Sequence, residues 1–305
     1  MDRLQLDLFA PAIAATAMYD VAVTPEVSEW LAAGAVCALG VSGGKDSQAM
    51  AIRLAEYLDQ IGHKGPRVLI HSDLGVVEWK DSLPVCERLA KRLGWELIVL
   101  RRSAGDMMDR WEARWASSLE RYATLSCVKI ILPWSTPSVY DYIAIKQEAL
   151  HEAYTVYGST RVSCAFCIMG SAGDLKASAS CPDNADIYRR MVRLEIASTF
   201  ALQGAKWLGD VAPHLLTDEE REGLAQAKNL AALRVQAESR LPAHLLYTSG
   251  WPACVPTAEE TQLIAEVRCE VADILGISVG FTTAGEVMTR YQELLAIRQA
   301  KGKAN

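Results

Sequence analysis

Between Gly40 and Ser47 the chain reads Gly-Val-Ser-Gly-Gly-Lys-Asp-Ser, and each residue from Ser42 onward has a role to play at a phosphate site. Gly43 and Gly44 let backbone N–H groups approach an anion and turn toward it. Ser42 and Ser47 add hydroxyl donors, and Lys45 adds a point positive charge. A helix beginning near Asp46 would add the positive end of its dipole. The spacing is not that of a Walker A loop, where four residues separate the first glycine from Gly-Lys and a hydroxyl residue follows. Here Gly40 is one residue too close, and Asp46 stands where the magnesium-binding hydroxyl belongs. A carboxylate inside an anion nest is repulsive unless a divalent cation bridges it to the phosphates, so the pattern implies Mg2+.

Cysteine chemistry concentrates further along. Cys164 and Cys167 form the one C-x-x-C of the sequence, inside Arg161-Val-Ser-Cys-Ala-Phe-Cys. Two thiolates at that spacing can reach one metal or cluster, with the remaining ligands coming from elsewhere. Cys127 lies upstream and Cys181 begins a Cys-Pro-Asp-Asn turn downstream. Four thiolates from Cys127, Cys164, Cys167 and Cys181 would satisfy either a [4Fe–4S] cluster or zinc. The pair could equally be a dithiol redox couple or two buried small residues. Cys37, Cys86, Cys254 and Cys269 read as structural. Arg161 is the best-placed group to grip a substrate phosphate bidentately; alternatively it pairs with a carboxylate such as Glu195 and braces the turn. Asp73, at the end of a strand, could receive ribose hydroxyls, assist the metal, or simply shape a turn. His71 reads as a packed histidine, and Glu78 as a weaker candidate for substrate contact.

The Ser-Gly-Gly-Lys-Asp-Ser loop resembles the PP-loop of the ATP pyrophosphatase superfamily. An isolated later cysteine followed by Arg-x-x-Cys-x-x-Cys, and the run Asp186–Glu195, resemble that superfamily's branch of proteins like phosphoadenosine phosphosulfate (PAPS) reductase. This branch includes DNA phosphorothioation sulfurtransferase subunits and phage- or plasmid-borne relatives. The resemblance implies an adenine-nucleotide-hydrolase type of fold and an ATP site on Ser42, Gly43, Gly44, Lys45, Asp46, Ser47 and Asp73. It implies cleavage of ATP to AMP and pyrophosphate, with Lys45, Asp46 and Arg161 in catalytic roles. It favours iron over zinc, and sulfur transfer to an anionic substrate such as DNA or RNA, with a sulfur-donor protein as partner. Two alternatives remain: reduction of a sulfonucleotide, and nucleotide sensing by a binding protein with structural zinc. Assimilatory reductases carry a catalytic cysteine near the C-terminus, and no cysteine follows Cys269 here.

The elements that must position these groups follow from periodicity. Thr24-Pro25 starts a helix that Gly34 stops. Val36–Val41, Arg67–Ser72 and Trp95–Leu100 read as strands, separated by helices after the phosphate loop and over Ser82–Leu93. This is the β-α-β-α-β alternation of an open, mainly parallel Rossmann-like sheet. Helices are expected over Ser138–Tyr154 and Asp183–Gln203. Thr217, Thr257 and Thr283, each with Glu three residues on, open a helical C-terminal region. The expected organisation is a nucleotide-binding α/β domain over 1–125, a cysteine segment over 126–205 that completes the site, and a helical region over 206–305. With 305 residues, 50% hydrophobic and 22% charged, the chain is globular rather than disordered. No membrane span or signal peptide is legible, so a cytoplasmic protein with reduced thiols is expected, and homo-oligomerisation is open. The net charge of −6 excludes a globally basic nucleic-acid binder. The arginines at 88, 101, 102, 110, 114, 121, 189, 190 and 193, with Trp111 and Trp115 among them, could still form a local anionic-substrate face.

Overall fold

The computed structural model describes residues 21–118, 136–247 and 251–302. They belong to two compact units, one spanning Met1–Met108 and Ile131–Asn184, the other Asp109–Ile130 and Ala185–Asn305.

In the first unit, Thr24 caps α1 (Pro25–Ala32) by accepting the Val27 N–H at 3.4 Å, and Pro25 sits where a helix needs no donor. Strands β1 (Cys37–Val41), β2 (Arg67–Asp73) and β3 (Glu96–Arg101) alternate with α2 (Lys45–Gln60) and α3 (Ser82–Leu93). The strands pair in parallel in the order β1-β2-β3, as the alternation predicts. Leu39 lies opposite Leu69, and Leu69 opposite Leu97, so one face of the sheet carries a row of leucines. They join one buried cluster with Ile52, Ala55 and Leu58 of α2 and with Cys86, Leu89 and Ala90 of α3. Gly94 ends α3 at φ 66°, a left-handed cap that glycine adopts without steric cost. Parallel pairing brings the carboxyl ends of all three strands to one edge, and the phosphate loop leaves β1 there.

The helix expected over Ser138–Tyr154 is two: α5 (Thr136–Ile145) and α6 (Glu152–Thr155). Gln147 takes φ 52° and breaks the first. The break is held from α3, whose Arg92 donates to the Lys146 carbonyl at 2.7 Å and pairs with Glu148. The buried His151 then caps α6 by accepting the Ala153 N–H at 2.9 Å. Helix α7 (Ala172–Ser180) closes this unit.

The second unit holds most of α4 (Met107–Ser118), with α8 (Ala185–Ser198), α9 (Asp218–Glu238), α10 (Ala258–Leu275) and α11 (Ala284–Gly302). The capping boxes at Thr217 and Thr257 are formed as their spacing predicts, and Thr283 and Glu286 exchange the same pair of bonds. Helix α8 stops five residues before Gln203. Thr199 turns to φ 60°, and the buried Glu195 carboxylate accepts the N–H groups of Leu202 (2.7 Å), Leu208 (2.7 Å) and Gly209 (3.0 Å). A buried carboxylate with three backbone donors fixes the chain's return, where apolar periodicity alone would prolong the helix.

Candidate nucleotide and thiol site

The phosphate loop runs from Val41 at the end of β1 to Lys45 at the start of α2. Gly44 is the N-cap, at φ −76° and ψ 158°. Gly43 takes φ 75°, and a methyl there would lie 2.7 Å from the Ser82 carbonyl oxygen, so both conformation and packing demand glycine. Ser47 donates to the Gly44 carbonyl at 2.8 Å and accepts the Ser42 N–H at 3.3 Å. Ser42 Oγ accepts the Gly44 N–H at 3.4 Å, and Tyr154 Oη accepts the Lys45 N–H at 3.2 Å. Three loop donors are thus held by neutral hydroxyls, weaker acceptors than a phosphate oxygen. The N–H groups of the first turn of α2 have no acceptor within the helix, which leaves its dipole directed into the loop.

Lys45 is buried at 5% exposure, a placement its sequence position does not foretell. Its ammonium donates to Asp46 Oδ2 at 3.2 Å and to the Thr160 carbonyl at 3.3 Å. It also lies 5.6 Å from the Tyr140 ring centre and 5.3 Å from that of Tyr154. The Asp46 side chain is 68% exposed, so its carboxylate is open to a cation at the mouth of the loop. Burial pushes the Tyr154 hydroxyl up to about 12, which keeps it a neutral acceptor.

At the end of β2, Asp73 Oδ1 accepts the Gly75 N–H at 2.7 Å and Oδ2 pairs with Arg101 Nε at 2.6 Å, its cross-strand neighbour. One oxygen therefore serves the turn and the other ties β2 to β3. His71 is packed: Nδ1 lies 3.1 Å from the Val41 carbonyl and 3.6 Å from Cys86 Sγ. Nε2 lies 3.3 Å from Glu78 Oε1 without an aligned hydrogen bond. The contacts with Cys86 and Glu78 outweigh burial and raise His71 to about 10. Glu78 accepts the Leu74 N–H at 3.0 Å, and its backbone pairs antiparallel with Cys164, while the Ala165 N–H donates to Val77 at 2.8 Å. The turn after β2 is what carries the cysteine segment.

Cys164 and Cys167 lie side by side. Their mutual hydrogen bond, with help from the Met169 N–H, Ser163 and Arg161, lowers Cys167 to about 5; the same contact and burial drive Cys164 strongly upward. The one hydrogen bond thus pushes the two thiols in opposite directions, Cys167 toward thiolate and Cys164 toward thiol. Arg161 donates to the Met169 carbonyl at 3.1 Å and so wraps the turn, and it shares a shallow recess with both cysteines and Trp79. Cys181 is buried at the end of α7 with its thiol against the Tyr157 hydroxyl. Among the described residues no three of the types His, Cys, Asp or Glu converge as a metal would need, so Cys181 does not join the pair; Cys127 lies outside the described residues. Two adjacent thiols fit half of a tetrahedral thiolate set.

Two organising residues, Asp174 and Tyr154, lie outside the phosphate and cysteine motifs. Asp174, buried, accepts from Ser159 Oγ (3.1 Å), Thr160 N (2.7 Å) and Oγ1 (2.9 Å), and Ser171 N (3.1 Å) and Oγ (2.7 Å). These bonds outweigh burial and hold it at about 2. The Ser171-x-x-Asp174 spacing, a capping box, is the signal that marks it. Tyr154 has no such signal. The arginines are mostly paired: Arg88 with Asp81, Arg101 with Asp73, Arg189 with Asp186, Arg190 with Glu112 and Arg193 with Glu220. Arg114, Trp115 and Arg121 lie outside the residues whose side chains are described. No described helix is long and apolar enough to cross a membrane.

No family model matches this chain, and no curated protein matches it. Among solved structures, the U34-tRNA thiolase NcsA from Methanococcus maripaludis with its [4Fe–4S] cluster aligns with 93% of this chain and 79% of its own. The identity is 15% and the TM-score 0.25, a superposition too loose to bear on this chain's chemistry.

Proposed function

We propose that this chain binds ATP with Mg2+ in the Ser42–Ser47 loop, cleaves it between the α and β phosphates, and uses the AMP half to activate an anionic acceptor for sulfur transfer. The observation that carries the reading is the loop itself: a glycine-built nest at a strand-to-helix turn whose donors are held by hydroxyls that a phosphate can replace. An acceptor oxygen attacks the α phosphorus, the bond to the bridging oxygen breaks, and pyrophosphate leaves with the electron pair. The loop N–H groups and the N-terminus of α2 stabilise the charge that grows on the departing group. Asp46 would hold Mg2+, whose chemistry is to neutralise that same charge. Cys164 and Cys167 would hold two positions of a metal centre, a [4Fe–4S] cluster rather than zinc, which supplies a docking point for sulfur. Arg161 would orient the anionic acceptor beside them.

Calorimetric titration with ATP tests the loop. Wild type is expected to bind only when Mg2+ is present. Asp46→Asn should lose that dependence, and Gly43→Ala should lose binding by about tenfold or more, since a methyl meets backbone at Ser82. A wild type that binds no MgATP, or an Asp46→Asn that matches it, overturns the reading. Anaerobic metal and sulfide analysis decides the centre: iron with sulfide supports it, while one zinc per chain changes the metal and the proposed sulfur chemistry.

A further inference from the structure

Of the three loop donors held by hydroxyls, two are held from within the loop, by Ser42 and Ser47. The third, the Lys45 N–H, is held by Tyr154, 109 residues away on α6. Thr160, on the other side of Arg161, takes the Lys45 ammonium on its carbonyl at 3.3 Å. A methyl added at Gly44 would lie 3.3 Å from Tyr154 Oη and 3.4 Å from Val162 Cβ, so loop, tyrosine and segment meet at one point. The ring is fixed edge-on between Tyr140, 5.9 Å away, and His151, 6.5 Å away. Two residues past Val162 comes Cys164.

We infer that Tyr154 is a positioning residue that couples occupancy of the phosphate loop to the Arg161–Cys167 segment: the hydroxyl that an incoming phosphate displaces from the Lys45 N–H is the one that meets Val162 across Gly44. The inference rests on the nucleotide reading above and adds to it a route by which nucleotide reaches the cysteine pair. A phosphate oxygen is the stronger acceptor, so an anion in the nest takes the Lys45 N–H. Displacement of Ser42 or Ser47 rearranges only the loop. Displacement of Tyr154 alters the contact that seats residues 160–162, and with it the approach of Arg161 and Cys164 to an acceptor. Loop binding and segment order are then linked, each biasing the other.

Hydrogen–deuterium exchange of the full chain, read in peptides over 40–50 and 157–168, tests the coupling in wild type and Tyr154→Phe, each with and without MgATP. Phenylalanine keeps the ring packing and removes the acceptor. Without nucleotide, the variant should exchange about fivefold faster at amides in both peptides, the opening factor one ordinary hydrogen bond supports. MgATP should change exchange over 157–168 in wild type and leave it unchanged in Tyr154→Phe, although calorimetry shows that the variant still binds. A purely structural tyrosine would speed exchange yet keep the nucleotide effect, and that result overturns the coupling. So does a wild type that binds MgATP with no change over 157–168. If calorimetry shows no MgATP binding to wild type, the nucleotide reading fails first and takes the coupling with it.

Discussion

Cys167 shows how a few contacts set reactivity. Its thiolate is stabilised first by the hydrogen bond from Cys164, then by the Met169 N–H, Ser163 and Arg161, against the cost of burial. Its partner is pushed the other way by the same bond, so the two titrate as a pair rather than as two ordinary thiols. In metal-free reduced protein, iodoacetamide should alkylate Cys167 at a rate that rises as pH rises through about 5 and is flat above neutrality. Cys164→Ala should move that midpoint up toward the ordinary thiol range, and by more than Arg161→Gln does, because the Cys164 bond is the larger cause. A wild-type midpoint near 8.5, the value of an isolated thiol, would contradict the thiol–thiolate description. The pair was legible in the sequence because C-x-x-C spacing is local. The seating of Lys45 between two tyrosines was not, because it depends on residues about a hundred positions away that carry no motif.

At the scale of elements, what the sequence shows is what local rules govern. The Thr24-Pro25 start, the Gly94 stop, the three parallel strands and the Thr217 and Thr257 boxes all form where residue type and period place them. The two helices that end early do so for tertiary reasons: Arg92 of α3 holds the bend at Lys146–Glu148, and buried Glu195 gathers three distant N–H groups. Helix α7 extends the point to the site. Its capping residue Asp174 also ties Ser159 and Thr160, so the N-terminus of one helix anchors the segment that delivers Arg161 and both cysteines. Its folded pKa of about 2 lies below its usual 3.8, so its stabilisation is complete above that usual value and is lost as pH falls from there toward 2. The shift corresponds to about 2 kcal/mol. Urea titrations at pH 7 and pH 2.5 should therefore show that Asp174→Asn loses about that much at neutral pH and much less in acid. An equal loss at both pH values would mean that packing, not the carboxylate, holds the segment.

Across the whole molecule, the described residues of the phosphate loop and of the cysteine pair belong to one of the two units. The first unit carries the parallel sheet, the phosphate loop, the His71–Glu78 contact and the cysteine pair; the second carries α8 to α11, with Glu195, Tyr188 and paired arginines serving its own packing. With the net charge at −6 and most described arginines engaged by carboxylates, attraction for an anionic nucleotide falls to the loop's own N–H groups, the Lys45 ammonium, the α2 dipole and a bridging cation. If the Ser42–Ser47 loop seats the β and γ phosphates of ATP, as proposed, the bond that breaks is the one between the α and β phosphates. Full-length protein at high concentration, incubated with Mg2+ and ATP labelled at the γ phosphate with water as the acceptor, should release label as pyrophosphate together with AMP. Release of label as orthophosphate with ADP would place the cleavage at the γ phosphate and overturn the proposed function.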